Sequence, residues 1–360
     1  MSFKKAVSLL MAITLIMVMV AGCGGQQSGT NQNQQNGNQG QAQNQQSQES
    51  KPKLGAVMID LNHPFYAAMM EAGNKAAEDF GAEVIWKSAE GSLEKEISLI
   101  ENFIEQKVDV ILIDPIDATG VIPAIEKAHE AGIEVITMGN FVDTPYNVNT
   151  LYNDFEDTKT LGQMMGNYLG KKGNVVVLVG SPGNYVSDMR QKGFLQGIGE
   201  FRDIKVLSVQ PSDWDPAKGM KVMENWLTSY SDIDGFFCVS DAVTFAAIEA
   251  IKAAGRQKDI AVFSYDGEIQ ASEKIKNGEI VADLLTGAKR VGYWNIKVAT
   301  QLAKGEKMEN KVYLPTHFVM QEETAKKMKE AGILEGKSVV TPNEAIRLFD
   351  AYQEELGPKK

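Results

Sequence analysis

The chain has 360 residues, 43% hydrophobic and 23% charged, which supplies apolar material for a sizeable core and more length than one domain usually takes. Its 36 Lys and Arg stand against 47 Asp and Glu, for a net charge of −11. A surface of that sign repels phosphate backbones and argues against nucleic acid as a partner.

Lys4 and Lys5 form a basic start, and residues 6–20 are an apolar run broken only by Ser8 and Thr14. The run falls short of the roughly 20 residues of a spanning helix, so residues 1–22 read as a secretory signal. Val20-Ala21-Gly22-Cys23 follows and resembles the cleavage site of bacterial lipoproteins, in which the Cys thiol carries diacylglycerol. That resemblance implies a lipid anchor on Cys23 and an extracytoplasmic protein held at the cell membrane. Cys238 then remains, inside the apolar run Phe236-Phe237-Cys238-Val239, and reads as a buried free thiol with no disulfide partner.

From Gly24 to Ser50 the chain is Gln, Asn, Gly and Ser with only Thr30, Ala42 and Glu49 as exceptions. Such a segment buries too little to fold. Residues 23–52 are therefore expected to be a disordered tether, and a Gly-rich coil of that length spans about 25 to 30 Å root-mean-square.

From Lys53 onward, short β-branched runs alternate with helical patterns, the signature of βαβ units and parallel sheets, so the fold class is α/β. Strands are predicted at 54–59, 83–86, 110–113, 134–138, 174–179, 205–209, 235–239, 260–264 and 280–285, with helices between them. Within residues 65–80, Ala68, Met69, Ala72, Ala76, Ala77 and Phe80 make one face at helical spacing. About four units precede Asn153 and about four follow, which predicts two Rossmann-like lobes. One lobe comprises 53–153 plus 287–315 and the other 154–286 plus 316–360, with crossovers near Asn153, Thr286 and Pro315. The stretch after Glu322 reads as added helix packed on the second lobe.

Ligands of open parallel sheets bind beyond the carboxyl ends of the strands, and the residues there are not random. Asp60-Leu61-Asn62-His63-Pro64-Phe65-Tyr66 follows the first strand, Asp114-Pro115 the third and Gly139-Asn140 the fourth. Arg190, Asp213-Trp214-Asp215, Ser240-Asp241, Tyr265-Asp266-Gly267 and Thr286-Gly287 follow later ones. Carboxylates and amides match hydroxyls that donate and accept at once, and aromatic faces match the apolar C–H face of a pyranose. Asp215 and Asp241 also have a plainer reading as helix N-caps.

The motifs Asn62-His63-Pro64-Phe65-Tyr66, Leu112-Ile113-Asp114-Pro115, Arg190-Gln191-Lys192-Gly193-Phe194, Gln210-Pro211-Ser212-Asp213-Trp214-Asp215, Val239-Ser240-Asp241 and Tyr265-Asp266-Gly267 together resemble the ribose-binding and related sugar-binding proteins. The resemblance runs from about Lys53 to Met320. It implies a monomeric, two-lobed receptor that closes on a sugar by hinge bending and delivers it to an ABC permease complex. Phe65 and Tyr66 resemble the aromatic wall of one lobe and Trp214 the opposing ring. Asp114, Arg190 and Asp266 match positions that hydrogen-bond hydroxyls, and His63 stands where an Asn contacts sugar. Asn140, Ser240 and Thr286 replace an Arg, an Asn and a Gln of the ribose pattern, and Gly139 replaces an Asp. Shorter side chains imply more room, suited to a hexose, a glycoside or a short oligosaccharide.

His63, His129 and His317 show no metal spacing, and no Walker loop, GxGxxG or GxSxG occurs. Neither a metal, a cofactor nor catalysis is expected. A receptor of the same chemistry that presents ligand to a membrane histidine kinase or chemoreceptor is the alternative role.

Overall fold

Near-continuous apolar runs make the central strands. Val110–Ile113 is buried at every position, whereas Glu83–Ser88 alternates between exposed and half-buried residues and forms an edge. The computed structural model describes residues 50–358. The signal segment, Cys23 and the tether up to Glu49 lie outside the described residues.

In chain order the elements are β1 (Lys53–Met58), α1 (Pro64–Phe80), β2 (Glu83–Ser88), α2 (Leu93–Gln106), β3 (Val110–Ile113), α3 (Ile122–Glu130), β4 (Glu134–Met138) and β5 (Val148–Leu151). Then come α4 (Asp154–Tyr168), β6 (Lys172–Val179), α5 (Tyr185–Ile198), β7 (Asp203–Pro211), α6 (Pro216–Ser229), β8 (Gly235–Cys238), α7 (Asp241–Ala253), β9 (Ala261–Phe263), α8 (Ile269–Lys276) and β10 (Ala282–Leu285). The chain ends with α9 (Ala288–Ala303), β11 (Lys311–Tyr313), β12 (His317–Met320), α10 (Glu322–Glu330), β13 (Val339–Val340), α11 (Pro342–Asp350) and α12 (Tyr352–Leu356).

These strands form two sheets. One has six strands in the order β11-β5-β4-β3-β1-β2, all parallel, and the other seven in the order β13-β12-β10-β9-β8-β6-β7. Only β10 and β12 run antiparallel. Each sheet therefore belongs to its own α/β lobe, and the chain passes between the sheets after β5, after β10 and after β11. Helix α1 packs its face of Met69, Ala72, Ala76 and Ala77 against Val291, Ile296 and Ala299 of α9 in the first lobe's core. In the second lobe, stacked Phe194 and Phe237, with ring centroids 4.1 Å apart, tie α5 to β8.

Strand β5 escapes the sequence pattern because it is polar and buried. Its Asn149 accepts from Thr137 Oγ1 at 2.8 Å and from the Val142 amide at 2.8 Å, and Thr150 Oγ1 donates to Asn295 at 2.6 Å. Side-chain hydrogen bonds replace the apolar alternation a strand search relies on. β11, β12 and β13 are likewise absent from the predicted strands.

The C-terminal stretch differs from its expected place. Helix α11 does pack on the second lobe, where Ala345 and Leu348 join Ile275, Ile280 and Val319. Helix α12 instead returns to the first lobe. Tyr352 and Leu356 enter that core, Tyr352 meets Tyr293 at 5.2 Å between ring centroids, and Lys297 Nζ donates to the Leu356 carbonyl at 2.8 Å. Two apolar residues one turn apart and a waiting donor, Lys297 of α9, draw it there.

Candidate functional site

Both sheets reverse their strand order once, between β1 and β3 in the first lobe and between β6 and β8 in the second. The crevice opens at such switch points. The loops following these strands face one another around a cavity of about 270 Å³. The lobes touch across it: Asn184 Nδ2 donates to Asn140 Oδ1 at 3.1 Å, and Phe141 meets Tyr185 at 5.7 Å between ring centroids.

Local chemistry aims the rings. His63 caps α1, its Nδ1 accepting from the Phe65 amide at 3.2 Å, and Pro64 takes the first helical position. That start places Phe65 and Tyr66 on the opening turn, edge to face with centroids 5.7 Å apart. Across the cleft, Asp213 and Trp214 adopt left-handed backbone with φ of +54° and +63°. The twist is held from both sides, by Ser212 Oγ accepting from the Trp214 amide at 3.3 Å and by Asp215 capping α6 through the Ala217 amide at 2.8 Å. It lays the indole on Gly180, where a Cβ would come within 2.3 Å of the ring. Non-glycine residues in such conformations cost about 1–3 kcal/mol each and persist only where neighbours over-determine them.

Asp266 is held in the same way. Its φ is +127°, and its carbonyl accepts from the Thr286 amide at 3.2 Å and the Gly287 amide at 2.8 Å. The next residue must be glycine, since a Cβ on Gly267 would lie 2.4 Å from Leu285 Cα.

Arg190 organises the polar floor. Only 4% exposed, it donates from Nε to Asp154 at 2.8 Å, and from Nη1 to the Val239 carbonyl at 2.7 Å and to Asp266 at 2.9 Å. Its guanidinium also lies over the Tyr265 ring, 3.6 Å from the centroid. Burial opposes its charge, but Asp154, Tyr265 and Asp266 more than offset that and hold it protonated. Nη2 makes no hydrogen bond to the described residues. On the opposite wall, Asn140 Nδ2 donates to Asp114 at 2.9 Å. Burial pushes Asp114 up to about 6 against the hydrogen bonds from Asn140 and Tyr66.

Of the ligand contacts read from the sequence, the structure brings His63, Phe65, Tyr66, Asp114, Asn140, Arg190, Trp214, Ser240 and Asp266 to this one cavity. Thr286 is a correction. It is buried behind the wall, where Oγ1 donates to the Asp266 carbonyl at 3.2 Å, so it braces Asp266 and does not face the cavity. Asp215 is an N-cap, whereas Asp241 is not: its carboxylate accepts from Ser264 Oγ and, at 2.8 Å, from the Glu268 amide. Tyr152, Asn184 and Glu268 also line the cavity and were missed. Tyr152 follows the unrecognised β5, and Asn184 caps α5 through the Ser187 amide. Glu268 stands two residues beyond Asp266, a spacing that could have drawn attention to it.

Two α/β lobes on a three-segment hinge, closed over a cavity at both switch points, define a solute-binding fold. The chain belongs to the periplasmic binding protein family, whose model matches residues 54–307. It is 29% identical to the ribose import binding protein of Bacillus subtilis over 74% of this chain and 87% of that one. Among solved structures, an ABC transporter solute-binding protein of Actinobacillus succinogenes with bound D-allose superposes with a TM-score of 0.72 at 27% identity, covering 77% of this chain and 100% of that one. A Bacillus halodurans solute-binding protein with bound myo-inositol gives 0.71 at 26% identity, over 78% and 98% of the two chains.

Proposed function

We propose that the protein captures a single-ring sugar or polyol in the interlobe cavity, without transforming it, and delivers it to an ABC importer while tethered outside the cell membrane by lipidated Cys23. One observation carries this reading: rings from both lobes, Phe65 and Tyr66 on one side and Trp214 on the other, share a cavity with Asp114, Asn140, Arg190 and Asp266. Flat apolar faces suit the C–H face of a ring, and fixed donors and acceptors suit its hydroxyls. The relatives that import ribose or hold D-allose and myo-inositol support the same ligand class. A cavity of about 270 Å³ falls just below the range of about 300–1,000 Å³ usual for ligand pockets, and favours one ring over a glycoside or an oligosaccharide. Closure removes water and lets groups of both lobes bind together, giving a permease a shape distinct from the empty receptor.

Small molecules released from purified protein should include a polyol by mass spectrometry, and titration calorimetry with monosaccharides and cyclitols should identify a tight binder. Failure of every such compound to bind would defeat the proposal. For the anchor, the membrane-extracted protein should begin at a diacylglycerol-modified Cys23, and Cys23→Ser should release it from the membrane fraction.

A further inference from the structure

Charges lining the cleft do not balance. Asp60, Asp114, Asp266 and Glu268 all face the cavity, and among the described residues Arg190 is the one Lys or Arg that does. That arginine is already engaged by Asp154 and Asp266, at 2.8 and 2.9 Å.

The carboxylates differ in what holds them. Asp60 accepts from the amide and side chain of Asn62 at 2.9 and 3.0 Å, and Asp114 accepts from Asn140 at 2.9 Å. Among the described residues, the Glu268 carboxylate accepts no hydrogen bond and joins no ion pair. Its backbone is nevertheless fixed, because its amide donates to Asp241 at 2.8 Å. Burial first, and then the neighbouring charge of Asp266, push its carboxyl up to about 6. A half-buried carboxylate with neither donor nor counter-ion is unfavourable. A hydroxyl would give it one neutral donor and leave the excess negative charge in place. An ammonium group gives it both a donor and a countercharge.

We propose that Glu268 anchors an ammonium group, and that the ligand is a monosaccharide-sized polyol carrying an amine. This inference rests on the reading of the cleft as a carbohydrate site. The aromatic walls and Arg190 hold the ring and its oxygens as they would for a neutral sugar, and Glu268 selects the amino-substituted member of a pair.

The test is calorimetry at about pH 7, where carboxylates are ionised and an alkyl amine is protonated. Matched trios serve as probes: glucose, glucosamine and N-acetylglucosamine; the galactose equivalents; and myo-inositol beside an amino-inositol. In one trio the amine should bind roughly 10- to 100-fold tighter than its hydroxyl and N-acetyl counterparts, the span of a hydrogen bond to a charged group. In Glu268→Gln, checked for folding by thermal melting, that ratio should collapse toward one. A neutral compound that binds as tightly as its amine overturns the ammonium anchor and leaves the carbohydrate site standing. An amine preference that survives Glu268→Gln removes Glu268 from the role. If no compound of either kind binds, the carbohydrate reading falls with it.

Discussion

Arg190 and Arg290 are both buried, yet one faces the cleft and the other stands behind the hinge. Arg190 is held by two carboxylates on the floor of the cleft cavity, and its Nη2 makes no hydrogen bond among the described residues. Arg290 is spent on the protein itself. Its Nη1 donates to the Thr286 carbonyl and its Nη2 to the Pro315 carbonyl, each at 2.9 Å, so one side chain clamps two of the three crossovers. Glu355 of α12 closes the arrangement, accepting from Nη2 at 2.8 Å, and His317 lies beside it with Nε2 3.2 Å from Nη2. A cation that is to meet ligand must leave a donor free, whereas one that is to brace a hinge must leave none. The C-terminal tail acts with the second, crossing from α8 to α9 behind the crossovers.

Replacing each arginine separates the two roles. Arg190→Met strands Asp154 and Asp266 in the interior, which should lower stability by about 3–5 kcal/mol and remove detectable binding of whichever monosaccharide or cyclitol the calorimetric screen finds. Urea unfolding and calorimetry measure the two losses, and binding close to that of the unsubstituted protein would show that the floor does not organise the site. Arg290→Met should cost less, about 2–4 kcal/mol, because its partner Glu355 is 25% exposed and can regain water. Its effect on affinity should be small beside that of Arg190→Met, since no ligand contact is removed. Equal loss of binding in both variants would mean that the hinge brace controls closure as strongly as the floor does.

The sequence exposed the cleft better than the hinge, and the reason is physical. Strand ends announce themselves, since an apolar run such as Val110–Ile113 followed by Asp114 marks both a buried strand and the carboxyl end where ligands bind. The aromatic pair after His63 and the Asp266-Gly267 bend were readable in this way. Thr286 misled because position at a strand end does not say which way a side chain turns, and here it turns toward the Asp266 carbonyl. The brace left no such mark. Arg290 and Glu355 belong to helices far apart in sequence, and nothing in either helix's periodicity says that one is fully buried and the other folds back on it. β5 was hidden by its own polarity, and Tyr152 was lost with it.

The smallest expected effect is in the titration of two glutamates, one from each region, and it tests the same contrast without replacing an arginine. Glu268 in the cleft is shifted upward from its ordinary 4.5 to about 6, by burial and then by Asp266. Glu355 at the hinge is shifted down from 4.5 to about 2, because the His317 hydrogen bond and Arg290 outweigh its burial. Linkage gives these opposite signs. Between 4.5 and about 6 the folded Glu268 binds more protons than the unfolded chain does, so it makes the protein less stable as pH rises through that window. Glu268→Gln should therefore gain on the unsubstituted protein over that range. Glu355 contributes stability that is complete above 4.5 and lost as pH falls toward about 2. The deficit of Glu355→Gln should accordingly be full at neutral pH and shrink in acid. Urea midpoints of the three proteins at about pH 3, 5 and 7 resolve the slopes. If both variants drift from the unsubstituted protein in the same direction with pH, the cleft and the hinge do not hold their carboxylates by different means, and the division between a site left open for ligand and a brace closed on itself is lost.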